Sequence, residues 1–327
     1  MATRYIRNTV ILAKVEGTYG TDSVPTGAAN AMLVSNLSIN PLNAQNVPRE
    51  LIFGFMGGFQ HLVGNRFVEC GFDIELVGNG TSGGTITAPS WGDVLKACGF
   101  TSALDTVNGR VDYTPISSSF TSLTIYWYDD GLLHKVTGAR GNVAVKLNAN
   151  GRPVLSFMFK GLYSAPTAAA NASPTLTGFK VPEVVTEANT ADLNLGCTHT
   201  VAAAAALTGG TSYPSLGLEF SPNNAVEHIA LLGGESVDQT GRDASCSIQL
   251  DLTAAQEVTL MASVAAATLT SVGLVHGTTA GYKTLVFLPY VQLINPRKAE
   301  LSGKRLVGFD GRVTPSAGND EMRIVVH

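Results

Sequence analysis

The sequence predicts an all-β protein with a minor helical component, built from one fold used twice in tandem, each copy running from a strand into a helix. Three observations predict it. Charged residues make up only 14% of the 327 residues, while glycine (35 residues) and the β-branched and turn-forming residues are plentiful, a balance that favours strands joined by turns. Several segments alternate apolar and polar residues, the period of a half-buried strand. The chain also echoes itself.

The clearest echo aligns Gly57–Leu76 with Gly233–Leu252, 176 positions on (57 to 233), so that Gly57/Gly233, Gly58/Gly234, Arg66/Arg242, Cys70/Cys246 and Leu76/Leu252 coincide. Both end in one pattern. Cys70, Phe72, Ile74 and Leu76 share one strand face, as do Cys246, Ile248, Leu250 and Leu252, and the opposite faces carry Glu69, Asp73, Glu75 and Gln249, Asp251. Upstream, Leu37–Ala44 resembles Leu218–Ala225, displaced by 181 (37 to 218), so the second copy is five residues shorter between the two echoes. A third echo pairs Gly151–Phe157 with Gly303–Phe309. Three echoes in one order indicate a fold used twice.

Residues 1–32 read as an N-terminal arm in which Tyr5–Val15 makes a strand before Gly17, Gly20, Pro25 and Gly27 interrupt. The first domain spans 33–166. It opens with Leu33–Ile39, followed by an apolar glycine-containing segment (Val47–Val63) that holds Leu51, Ile52, Phe53, Phe55, Met56 and Phe59. Loops are usually polar, so this one is either a flap on its own domain or an interface with another copy. After the Cys70 strand, Ser90 is expected to cap a short helix with Trp91, Val94, Leu95 and Cys98 on one face and Gly99 as its stop. Leu123–Tyr128, Leu132–Thr137, Val143–Leu147 and Val154–Leu162 are strands, with turns at Asp130-Gly131 and Asn150-Gly151. Residues 167–212 form the linker and a weakly patterned connection. The second domain spans 213–318, and its helix starts at a Thr253/Gln256 capping box with Val258, Met261, Ala262 and Ala265 at helical spacing. Leu285–Ile294 and Arg305–Val313 follow as strands. The tail 319–327 can form a terminal strand through Met322, Ile324 and Val326.

No enzyme constellation emerges. The six histidines are scattered without metal-ligand spacing, and P-loop and HExxH motifs are missing from the sequence. Gly78–Gly83 matches GxGxxG literally, but Gly84–Pro89 intervenes before any helix, so it reads as a flexible loop rather than a nucleotide site. Asp129-Asp130 is a hairpin turn, and the sequons at Asn36, Asn79 and Asn171 are expected by chance. No cofactor or metal is called for. Cys70, Cys98, Cys197 and Cys246 lack CxxC spacing and suit a reduced compartment. The start lacks the apolar stretch and cleavage site of a signal peptide, and no window approaches a membrane span; Ala202–Ala206 is apolar but short. A net charge of −4 argues against general nucleic-acid binding, though not against a surface that DNA slides past.

The running order of short motifs resembles the major tail tube proteins of long-tailed, siphovirus-type bacteriophages and prophages. It is carried by EGTYGTD (Glu16–Asp22), PTGAANA (Pro25–Ala31), Pro89-Ser-Trp91-Gly with Cys98-Gly-Phe100, Tyr113-Thr-Pro115, His134-Lys135 with Gly138-Ala-Arg140-Gly141, Gly161-Leu-Tyr163 and TPSAGNDE (Thr314–Glu321). The resemblance covers most of the chain and weakens over Ala188–Tyr213 and Ser263–Tyr282. It implies two tail-tube-type domains, each a sandwich with a flanking helix, closed into rings that stack as a tube in the virion tail, assembled in the host cytoplasm. It further implies that the inner sheets join into one barrel through which double-stranded genomic DNA passes without specific binding. The implied partners are further copies of the chain and the tape measure, tail terminator and distal tail or baseplate proteins, with no membrane. If each domain contributes four inner strands, six domains give about 24 strands at ~4.8 Å spacing and ~40° tilt, hence a backbone diameter of roughly 48 Å and a lumen of roughly 35–40 Å; three domains would leave too little room for a duplex. A two-domain chain therefore points to a homotrimeric, pseudo-hexameric ring. The expected lumen-facing residues are Glu69, Asp73, Glu75 and Asp251. The expected ring-stacking contact is Leu51, Ile52, Phe53, Phe55 and Met56, joined by Tyr5 and Ile6. The alternative is a two-domain β-sandwich adhesion or binding module; Tyr126, Trp127 and Tyr128 are its only tight aromatic run, and alternation puts Trp127 opposite the other two.

Overall fold

Side chains alternate across a strand, and the strand Leu62–Glu75 uses that alternation as expected: Val68, Cys70, Phe72 and Ile74 are buried, and Glu69, Asp73 and Glu75 lie on the other face. The computed structural model describes residues 3–201 and 206–327, so the alanines at 202–205 lie outside the described residues. Most of the chain is β-structure, and the two longer helices are Gly92–Lys96 and Ala254–Ala265.

Eight strands form one continuous antiparallel inner run. Its order is Ser35–Val47, Leu62–Glu75, Val154–Tyr163, Leu132–Asn148, Ser215–Ser221, Ser245–Leu250, Lys304–Val313, Thr284–Leu301. The first four and the last four repeat the same connectivity. They also repeat the same register: Ile39 faces Cys70 as Phe220 faces Cys246, and Ile74 faces Leu155 as Leu250 faces Val307. These pairs are displaced by the same 181, 176 and 152 positions that separate the sequence echoes. Each half even carries one bulge at the same place, between Ser35 and Ser38 and between Ser215 and Leu218. There Asn36 (φ 51°) and Gly217 (φ 110°) take left-handed backbone. A Cβ on Gly217 would meet the Leu147 carbonyl oxygen at 1.8 Å, so glycine is required where the second half joins the first.

Two strands are much longer than their side-chain patterns suggest. Leu132–Thr137 and Val143–Leu147 are one strand, Leu132–Asn148, which bends at Gly138 (φ 59°) and leaves the inner sheet to pair with Leu123–Asp129. Leu285–Ile294 is likewise part of Thr284–Leu301, which pairs with Leu269–His276 at one end and Lys304–Val313 at the other. These corner strands tie the inner run to an outer layer. In the first half that layer holds Thr9–Val15 and Leu123–Asp129. The segment expected as an N-terminal arm thus supplies an outer strand, preceded by a single 3-10 turn at Ile6–Asn8. In the second half the terminal strand Arg323–Val326 pairs with Thr284–Phe287 on one side and Val111–Tyr113 on the other, joining the halves through the outer layer as well. Met322, Ile324 and Val326, the residues expected to form it, are fully buried.

One apolar core cluster runs through both halves and contains Phe72, Phe157, Phe159 and Trp91 with Ile248, Phe309 and Ile324. Trp91 donates its indole N–H to the Val77 carbonyl at 2.9 Å, satisfying its one polar atom. Ser90 does not cap the first helix; Trp91 occupies the cap position without a side-chain hydrogen bond. The Thr253/Gln256 capping box is formed, but the helix presents Leu260, Met261 and Val264 to the core and leaves Val258 exposed. The face is rotated from the expected one because the helix packs on the Thr284–Leu301 strand, which its own spacing does not encode. All four cysteines are free and buried, and burial pushes the Cys70 and Cys246 thiols up to about 12.

Burial also lowers the pKa values of His134, His199, His276 and His327. His276 is held neutral, accepting at Nδ1 from the Thr190 hydroxyl (2.8 Å) and donating from Nε2 to the Glu183 carbonyl (3.1 Å). A depressed histidine stabilises the fold above its unfolded value of about 6.5, and that contribution is lost as pH falls through the folded value. Melting temperature should therefore fall on acidification from pH 7 to 5, and His276→Gln should flatten part of that slope in a series of thermal melts.

Candidate assembly interface

Three features of the inner run face outward from the fold: its polar face, its two terminal edges and two hairpin arms. The polar face carries the four expected carboxylates, each beside a partner. Glu69 lies 4.0 Å from Lys160, Glu75 is 3.3 Å from Arg152, Asp251 pairs with Lys304, and Asp73 accepts from the Asn36 amide at 2.5 Å. Asp310 is paired with Arg297 at 2.7 Å on the same face. The surface is polar and charge-compensated rather than plainly acidic.

The edges of the run are Ser35–Asn40 at one end and Lys298–Leu301 at the other. Among the described residues each pairs with a strand on one side only. The arms branch from equivalent places in the two halves. The second arm is the hairpin Asn224–Leu231 with Gly234–Arg242. It does not stand free but lies over the first half, across the strand ends at Arg140, Lys160 and Phe67. Arg140 donates to the Val237 carbonyl at 2.9 Å and pairs with Asp238 at 2.5 Å. The Tyr19 hydroxyl accepts from the Val237 N–H at 2.5 Å, and burial pushes that phenol's pKa up, so it stays neutral. Asn224 and Gln239 donate to the carbonyls of Cys98, Ala97 and Gly141. Lys160 reaches Glu227 at 3.7 Å, His228 stacks on Phe67 at 5.0 Å, and Val237 is completely buried.

The first arm, Pro41–Val47 with Leu62–Arg66, has no such seat. Its tip carries Leu51, Ile52, Phe53, Phe55 and Met56 in the open: Phe55 is 78% exposed, and Ile52 and Met56 are as exposed as in an extended chain. Phe53 packs on Phe55 and Phe59, with ring centroids at 5.9 and 4.6 Å. The arm is not folded over its own half. Tyr5 and Ile6 are also exposed but lie elsewhere, at the Asp129–Gly131 turn, where Arg4 pairs with Asp129 at 2.5 Å and Asn8 with Asp130. That turn therefore employs both of its carboxylates, and no metal-ligand group of three occurs among the described residues. The Gly78–Gly83 loop packs on another loop, with Gly80 N–H donating to the Gly281 carbonyl at 3.1 Å, and runs into a single 3-10 turn, Gly83–Thr85, rather than an α-helix.

The short motifs have roles in this framework. Glu16 is buried and accepts four hydrogen bonds, from Gly20 N–H (2.8 Å), Ser122 (2.7 Å), Thr124 (2.9 Å) and the N–H of the bend residue Gly138 (2.7 Å). It pins the first strand to the corner strand, while Tyr19 holds the second arm. The sequence profile of the phage tail tube protein family matches residues 6–322, nearly the whole chain.

The chain belongs to the phage tail tube protein family. No curated protein matches it closely. It is a structural subunit of a virion tail, and the family assembles from copies of its own chain with other tail proteins. No helix among the described residues is long and apolar enough to cross a membrane. The residues that sequence reasoning missed in this tail tube protein are those seating the second arm: Tyr19, Arg140, Asn224, Asp238 and Gln239. Tyr19 and Arg140 lay inside family motifs and Asn224 inside an echo, but their partners are 80 or more residues away. Arg140→Ala should cost about 2 kcal/mol, the value of charged hydrogen bonds lost at a partly exposed site, and should open the Leu231–Gly234 tip to limited proteolysis; Arg140→Lys should restore only part, since a single nitrogen can replace Nη1 at Val237 and Asp238 but not also Nη2, which donates to the Phe120 carbonyl at 3.2 Å.

Proposed function

We propose that three copies of this tail tube protein close a ring through the edges of their inner runs, and that the rings stack into a tube conducting duplex DNA in a siphovirus-type tail, alongside the tape measure, terminator and distal tail proteins. One observation carries this reading. Within one chain the first strand of half two is already paired to the last strand of half one, with Glu219 opposite Lys146 and Phe220 opposite Val145. Repeating that junction between chains sets Ser35–Asn40 of one copy against Lys298–Leu301 of the next, with Ser38 opposite Ala299 and Ile39 opposite Lys298. Unpaired strand edges leave backbone donors and acceptors unmatched, so edge-to-edge closure removes the exposed template. Three runs of eight strands make the 24-strand circumference, whose lumen of roughly 35–40 Å admits a duplex.

The polar face with Glu69, Asp73, Glu75 and Asp251 lines that lumen. Four of its cations, Lys160, Arg152, Lys304 and Arg297, are engaged by carboxylates, which lowers the counterion release that phosphates gain by adhering, and DNA passes. The apolar tip Leu51–Met56, with Tyr5 and Ile6, contacts the adjacent ring. Each large side chain buried there contributes roughly 1.5–3 kcal/mol, repeated in all three copies.

Native mass spectrometry and negative-stain imaging test the ring, with trimers and tubes expected; hexamers of chains, or uniform monomers at high concentration, would refute it. The register is tested by charge. Ser38→Lys with Ala299→Lys sets like charges opposite one another and should abolish rings, whereas Ser38→Glu with Ala299→Lys copies the Glu219/Lys146 pairing and should restore them. For the tip, Phe53→Asp with Phe55→Asp should give a soluble subunit of unchanged melting temperature that no longer forms tubes, and normal tubes would rule out the stacking role.

A further inference from the structure

The two arms branch from equivalent positions, yet only the second is seated. The second arm lies on the half whose edge its own strand adjoins: Ser215–Ser221 pairs with Val145–Asn148, and the hairpin continuing from it crosses Arg140, Lys160 and Phe67. The first arm continues from Ser35–Asn40, an edge with no second neighbour among the described residues. Half two carries the matching surface. The echo displacements carry Lys160 to Arg312 and Phe67 to Asp243. Those two residues form an ion pair at 3.1 Å with side chains 59% and 74% exposed, whereas Lys160, which Glu227 of the second arm reaches, is 29% exposed. Beside Arg312 and Asp243 lies a cleft of about 450 Å³ lined in part by Ile116, Phe120, Val313 and Pro315.

We propose that the stem of the first arm, Pro41–Val47 with Leu62–Arg66, is a clasp that lies over half two of the adjacent copy in the same ring, as the second arm lies over half one of its own chain. This rests on the edge-paired ring proposed above. The occupant of the Arg312–Asp243 surface is therefore a second copy of this chain, and the apolar Val47, Leu62 and Val63 are the side chains that meet the cleft. Each ring joint is then made twice, by backbone pairing along the sheet edge and by a hairpin laid across it. The stem serves its own ring and leaves the longer tip free for the next one.

The equivalence places Val47 where His228 sits and Asp243 where Phe67 sits, so Val47 of one copy faces Asp243 of the next. Val47→Cys with Asp243→Cys tests it, because both positions are exposed and the four native cysteines are buried. After mild oxidation of assembled protein, a non-reducing gel should show cross-linked dimers and trimers and nothing larger, while either single variant stays monomeric on the gel. A ladder running past the trimer would mean that the arm reaches into another ring and would overturn the clasp. Rings visible by negative stain without the cross-link would overturn it while leaving the edge-paired ring intact. An absence of rings in the oxidised and reduced protein alike would overturn both.

Discussion

The pairing of Gly217–Phe220 with Val145–Asn148 is the constraint on which the rest of the structure depends. A strand edge presents donors and acceptors that must be matched, and this junction matches the edge of one half with the edge of the other. It makes eight strands into one surface and sets the second half in the same orientation as the first. It also brings the second arm over the first half and leaves the terminal edges open. Glycine at 217 permits the close approach, since any Cβ there would strike the Leu147 carbonyl.

The two faces of the run have separate tasks. The buried face is apolar and continuous with a core shared by both halves, so the halves are coupled through packing as well as through the sheet. The outward face carries charges in compensating pairs. Glu16 links the layers differently: a buried carboxylate with no ion pair among the described residues is tolerated because four donors surround it, and one of them is the backbone of the residue where the corner strand bends. That accounts physically for a glutamate in the EGTYGTD motif.

The arms differ in composition as their settings require. The second arm is tethered to its seat by the chain, so polar contacts from Arg140, Asn224 and Gln239 suffice to hold it. A contact between separate chains, which we propose for the first arm, must also overcome the loss of translational and rotational freedom, and the first arm carries the larger apolar content that such a contact needs. The sequence echo obscures this difference, because it aligns the stems and leaves the five additional residues of the first arm without a counterpart.

Read by itself, the sequence determined the fold class, the inward and outward faces of the Cys70 and Cys246 strands, the Thr253 capping box and the repeat, with displacements of 181 and 176 that reappear in the strand registers. Alternation, capping and repetition are local properties that side chains record directly. The exposed tip residues and the four face carboxylates were legible for the same reason. Only the tertiary structure decided that Leu132–Asn148 and Thr284–Leu301 run through both layers, that Leu260 rather than Val258 faces the core, and that Arg323–Val326 bridges the halves. It alone seated the second arm on Tyr19 and Arg140. Each of these depends on backbone groups and partners far apart in the chain, and backbone hydrogen bonds leave no side-chain pattern to read.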